Sequence, residues 1–126
     1  MKIMYYKSFK VNGQEDIDDF MLMTDATYHK YSDITRKDFF AKNYKNNKNI
    51  FKTKNSDRLE FEIIHQSLNK IKNLYFTNLF KVDTQILDID FVLSVIKVNH
   101  NFFNQRGELC AILNCNIHWH VRIISY

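Results

Sequence analysis

A chain of 126 residues with 45% hydrophobic and 15% aromatic content is long enough to bury one core and too apolar to be disordered. It has no proline and only two glycines, which excludes collagen-like, proline-rich and glycine-linker architectures and leaves turns largely to Asn and Asp. The net charge of +4 is segregated: residues 15–41 sum to −4 and residues 42–58 to +5, so an acidic block adjoins a basic one.

In chain order, residues 2–11 read as a first strand closed by Asn12-Gly13, a strong turn signal. Ile17, Phe20, Met21, Thr24, Tyr28 and Tyr31 then recur at helical spacing, with Glu15, Asp16, Asp18 and Asp19 in the first turns, where the macrodipole favours anions. Thr35 and Asp38 approximate a capping box and predict a second, short helix carrying Phe39 and Phe40 inward to about Tyr44. Residues 45–55 lack periodicity and read as a surface loop. Ser56 or Asp57 caps a third helix whose stripe is Leu59, Ile63, Leu68, Ile71 and Tyr75. The period then changes. Leu74, Phe76, Phe80 and Val82 alternate as a strand, and residues 86–99 form another, whose middle (Phe91, Val92, Leu93, Val95, Ile96) is apolar on both faces, as in a covered central strand.

The last strand is the most readable. From Leu109 to Ile123 every odd position is apolar, while even positions carry Asn114, Asn116, His118, His120 and Arg122. A period of two marks a half-buried strand, and the Trp119 face is predicted to be core. A two-residue turn at Arg106-Gly107 sets Ile117 against Ile96, Cys115 against Val98 and His118 against Val95. The same register sets His120 against Leu93 and Arg122 against Phe91. A three-residue turn instead sets Cys115 against Lys97; the first register matches apolar with apolar and is preferred.

The expected fold is therefore α+β in a single domain, 1–126. An N-terminal strand and three helices precede a three-stranded antiparallel meander, β-α-α-α-β-β-β, with the helices packed on the sheet. In element order this resembles an NTF2-like roll, which is the alternative architecture and implies a small-molecule pocket beneath the last strands.

No apolar leader or membrane-length segment is expected from the sequence. Cys110 and Cys115 lie on opposite faces of one strand and cannot pair within it, so a reduced, cytoplasmic protein is the expectation. There is no glycine-rich phosphate cradle and no paired-cysteine motif, and no cofactor is expected. His118 and His120 share a face at chelating spacing, but zinc needs at least one further ligand, and Cys110 lies about 27 Å along the strand. A third ligand would have to come from His65 or an acid elsewhere, and the expectation is no metal. The same pair, with Arg122 stabilising a phosphorane, is the low-ranked catalytic set of a small metal-free ribonuclease.

The leading expectation is a small, non-catalytic protein-binding module, an inhibitor or immunity-type protein of bacterial or phage origin. Its partner-binding surfaces would be the acidic block (Asp16, Asp18, Asp19, Asp25) and the basic loop (Lys45, Lys48, Phe51, Lys52, Lys54). The alternative is a small ribonuclease or RNA-binding protein using the His118/His120/Arg122 face or the loop 42–54, whose lysines and aromatics suit a phosphate backbone and a stacked base. An NTF2-like pocket protein is the second alternative.

Overall fold

A computed structural model describes residues 5–11, 15–46, 58–75 and 79–122. The elements are β1 (Tyr5–Lys10), α1 (Asp25–Asn46), β2 (Arg58–Lys70), β3 (Leu79–Asp90), β4 (Val95–Asn104) and β5 (Leu109–Arg122). The strands form one antiparallel sheet in the order β1-β3-β4-β5-β2, and α1 packs against one face of it. Among the described residues, one helix and five strands replace the expected three helices and meander, and the NTF2-like roll goes with them.

Helix α1 is capped by Thr24, whose hydroxyl accepts the Thr27 amide at 3.3 Å. Its buried stripe is Tyr28, Tyr31, Ser32, Thr35 and Phe39. Thr35 does not cap a second helix. Its hydroxyl donates to the Tyr31 carbonyl at 2.8 Å, so the supposed cap is spent inside one continuous helix. Residues 15–24, read as helical, form a loop instead. Asp18 accepts the amides of Phe20 (2.8 Å) and Leu22 (3.1 Å), and Met21 takes a left-handed φ of 63°. Phe20 and Met21 are consequently exposed.

The left-handed Met21 costs about 1 kcal/mol, partly offset in a glycine variant by the extra entropy of the unfolded chain. Met21→Gly is therefore expected to stabilise the fold by about 0.5 kcal/mol, seen as a higher urea midpoint with unchanged slope.

β2 takes the place of the expected third helix, and a bulge is the reason its pattern misleads. Phe61 and Ile63 lie opposite Trp119 and Ile117 on the inner face, then the register shifts between Ile63 and His65. Beyond the shift Gln66 and Leu68 are the inward residues, opposite Cys115 and Leu113. Switching parity in mid-strand puts the inward residues at successive spacings of two, three and two, which breaks the alternation that marks a strand.

β3 and β4 are joined by a turn at residues 91–94, where a continuous strand was expected. The Asp90 carboxylate accepts the Val92 and Leu93 amides, both at 3.0 Å, leaving Phe91, Val92 and Leu93 exposed at the tip. The β4–β5 register agrees with the preferred pairing, with Ile117 opposite Ile96, Cys115 opposite Val98 and His118 opposite Val95. The turn itself is the three-residue type: Asn104 and Glu108 bond across Gln105, Arg106 and a left-handed Gly107 (φ 78°). A bulge between Phe102 and Phe103 shifts the ladder back by one residue.

Aromatic pairs tie α1 to the sheet. Phe9 and Tyr31 lie 4.7 Å apart, Tyr28 and Phe102 5.1 Å, and Phe40 and Phe61 4.8 Å. Each contributes about 0.5–1.5 kcal/mol beyond its buried area. Trp119, Ile117, Cys115 and Leu113 of β5 are buried beneath the helix, as expected from their alternation. Among the described residues no helix is long and apolar enough to cross a membrane.

Candidate functional site

After β1, the chain from residue 15 folds back over the N-terminal end of α1. An Ile17–Met23 bridge closes this loop, the Thr24 amide donates to the Asp16 carbonyl at 3.1 Å, and Met23 is held by the Leu74 carbonyl at 2.9 Å. The loop carries the Asp16 carboxylate inward, where it is fully buried. The Tyr31 hydroxyl and the Lys30 ammonium, one turn into the helix, both donate to it. Burial first, then the bond to Asp16, raises the Tyr31 pKa, so the phenol keeps its proton and acts as a donor. Lys30 is different: its side chain is 42% exposed, and its ammonium also lies 4.7 Å from the Tyr31 ring centroid.

Asp83, also buried, makes an instructive contrast. It accepts the Asn101 amide (2.7 Å), the Asn101 side chain and Gln85, all neutral donors within the sheet. That carboxylate braces the β3–β4 pair. Asp16 instead sits beside the positive end of a helix dipole, under a movable cation.

A second polar group lies between α1 and the sheet. Arg36 pairs with Asp33, and its Nη1 approaches His100 Nε2 at 3.4 Å. A guanidinium can only donate, so Nε2 accepts and the His100 proton is on Nδ1. From there it faces the Asp83 carbonyl at 3.1 Å and Thr84 Oγ1 at 3.0 Å. Burial, then the nearby Arg36 charge, lowers the His100 pKa to about 4. An open groove of about 410 Å³ adjoins this network, with Arg36 and Lys37 on its polar side and Phe40, Phe61, Ile63 and Ile117 on its apolar side. It flanks α1 towards β2, whereas Tyr31 and Asp16 lie towards β1 and β3.

The expected acidic surface is dispersed. Asp16 is buried, Asp18 is occupied by its own loop, and Asp25 pairs with Lys70 at 2.6 Å; Asp19 is exposed. Lys48, Phe51, Lys52 and Lys54 lie outside the described residues, and Lys45 falls in the last turn of α1. His118 and His120 sit together on the sheet's outer face, ring centroids 4.2 Å apart, and Arg122 ends β5 opposite Arg58. Cys110 and Cys115 are both free and buried, and burial pushes both thiols up.

Sequence reasoning missed the burial of Asp16, since a carboxylate read as a helix-dipole anion gives no sign of being turned inward. It also missed Glu62, placed on a helix when its strand lies beside β5.

No protein-family model and no curated protein matches the sequence. Solved structures do match in fold. A DHNA-CoA thioesterase of Staphylococcus aureus superposes with a TM-score of 0.72 at 13% identity, over 92% of this chain and 73% of that one. A thioesterase of Thermus thermophilus, solved with coenzyme A and zinc, gives 0.73 at 13%, over 92% and 78%. A 1,4-dihydroxy-2-naphthoyl-CoA thioesterase of Synechocystis gives 0.72 at 9%, over 97% and 88%. These similarities show the fold, a hotdog-type helix wrapped by an antiparallel sheet.

That result overturns the non-catalytic protein-binding module of inhibitor or immunity type. It also overturns the ribonuclease or RNA-binding and NTF2-like alternatives. The protein-binding reading drew on an acidic helix, the ribonuclease or RNA-binding reading on the His118/His120/Arg122 face and the basic loop, and the NTF2-like reading on the order of elements. The chain instead has a fold shared with solved thioesterases.

Proposed function

We propose that this chain hydrolyses an acyl thioester of the coenzyme A class, with Asp16 as the carboxylate that acts on the thioester carbonyl. The observation that carries this reading is the Asp16 carboxylate, buried between Tyr31 and Lys30 at the N-terminal end of α1, within a fold shared with thioesterases. The Tyr31 hydroxyl fixes one carboxylate oxygen. When Lys30 swings out, the other oxygen can take a proton from a water that attacks the carbonyl carbon. The tetrahedral intermediate then breaks its C–S bond, and Asp16 returns that proton to the departing coenzyme A thiolate as the free acid is released. Because the Asp16 carboxylate is fully buried, displacing the ammonium leaves an anion that substrate contacts must compensate. The positive end of α1 favours the oxyanion that forms as the carbonyl is attacked. Buried thiols without a disulfide are in keeping with a reducing cytoplasm, where such a substrate would be met.

The test is turnover. The purified full-length chain is incubated with short aliphatic, long aliphatic and aromatic acyl-CoA esters, and released thiol is followed by a disulfide reagent. Enzyme-dependent release from at least one class is expected. A folded, monodisperse protein that releases thiol from none of them would sink the proposal.

A further inference from the structure

The outer face of the sheet, on the side away from α1, carries a group of side chains that plays no part in that chemistry. We propose that Glu62, His118 and His120 form a binding site for a divalent transition metal, with zinc the best-suited ion. Glu62 lies directly opposite His118 in the β2–β5 ladder, and His120 follows two residues on, so all three side chains leave the same face. His120 Nε2 is 3.3 Å from Glu62 Oε2, and one ligand atom from each of the three residues lies within 4.8 Å of the others. The imidazoles meet edge to face, with an interplanar angle of 84°.

A tetrahedral zinc with bonds of about 2.0–2.1 Å needs its ligand atoms about 3.3 Å apart. Glu62 and His120 already meet that spacing. His118 is half-buried, but Glu62 and His120 are largely exposed, so side-chain rotation can close the remaining gap while the strands stay fixed. Two imidazoles and one carboxylate match zinc's preference for nitrogen and oxygen donors, and they leave a fourth position for water. The backbone ladder holds the three Cα atoms in place before any metal arrives, which lowers the entropy cost of assembling the site.

The other described histidines lie outside this three-residue group, although His65 leaves the same face of the sheet. His29 bonds Gln66 at 3.3 Å, His65 lies opposite Asn116, and His100 is buried beside Arg36.

Zinc chloride titrated into the metal-free, full-length protein by calorimetry tests the site. One zinc per chain is expected, with affinity falling at least about 10-fold in His118→Ala and in His120→Ala, and also in Glu62→Gln. His29→Ala, on α1 at the other face of the sheet, serves as the control and should bind as the wild type does. Cobalt should give the intense visible bands of a four-coordinate ion, and these should vanish in His120→Ala. Far-UV circular dichroism checks that each variant is folded. Absence of zinc uptake at high-micromolar metal, or uptake unchanged in the His118→Ala/His120→Ala double variant, overturns the site. Asp16→Asn should leave zinc uptake intact, so the thioesterase reading and the metal site stand or fall separately.

Discussion

Replacing Asp16 with Asn is expected to lower thioester turnover by about 10²–10⁴-fold, the range for removing a positioned acid–base or nucleophilic group. The substitution keeps the side chain's shape. Its amide oxygen can still accept from the Tyr31 hydroxyl, so the buried end of the contact survives. What is lost is the anion: the amide can neither attack a carbonyl nor take a proton from water. Its NH₂ group would face the Lys30 ammonium, and Lys30 would move into solvent, which its exposure allows. The fold should therefore persist, and the loss should appear in kcat/KM for thiol release at unchanged circular dichroism. Tyr31→Phe gives a useful second measurement. It leaves the carboxylate in place but removes the donor that orients it, costing about 1–2 kcal/mol of stability and a smaller part of the rate. A wild-type rate in Asp16→Asn would remove Asp16 from the chemistry.

How much of this was legible depended on whether the pattern stayed in phase. β5 keeps one parity from Leu109 to Trp119, and its buried face, its partner and its register could all be read from the alternation. β2 has an inner face too, but one extra residue near Ile64 changes its phase and breaks the alternation. That single bulge hid the strand, and with it Glu62 as the neighbour of His118. The helix was obscured for another reason. Its buried stripe includes Thr27, Ser32, Thr35 and Arg36, so hydrophobic periodicity alone broke it in two. The turn at residues 91–94 is apolar in composition and is set by Asp90, a capping signal that three consecutive hydrophobic residues outweighed. Asp16 was unreadable because its meaning depends on Lys30 and Tyr31, 14 and 15 residues away, which a chain reversal brings back to it.

Stability should fall as the pH drops from about 6.5 towards 4, and His100 should account for about 3 kcal/mol of that fall. The folded imidazole is neutral because burial and the Arg36 guanidinium disfavour its cation. In the unfolded chain it titrates near its ordinary value of 6.5. Above that value both states are neutral and the group has no effect on stability. Between 6.5 and 4 the unfolded chain binds a proton that the folded chain refuses, which pulls the equilibrium towards unfolding. Below 4 both states are protonated and the contribution levels off. Other groups titrate in the same range, so the informative quantity is a difference between two proteins. His100→Gln keeps an acceptor for Arg36 and a donor for the Asp83 carbonyl but cannot titrate. Urea midpoints measured from pH 7 to pH 4 should therefore decline more steeply in the wild type than in His100→Gln, with the two curves drawing apart below about pH 6.5. Parallel curves would mean that His100 can take up its proton in the folded state, and that the Arg36–His100 contact does not hold the imidazole neutral.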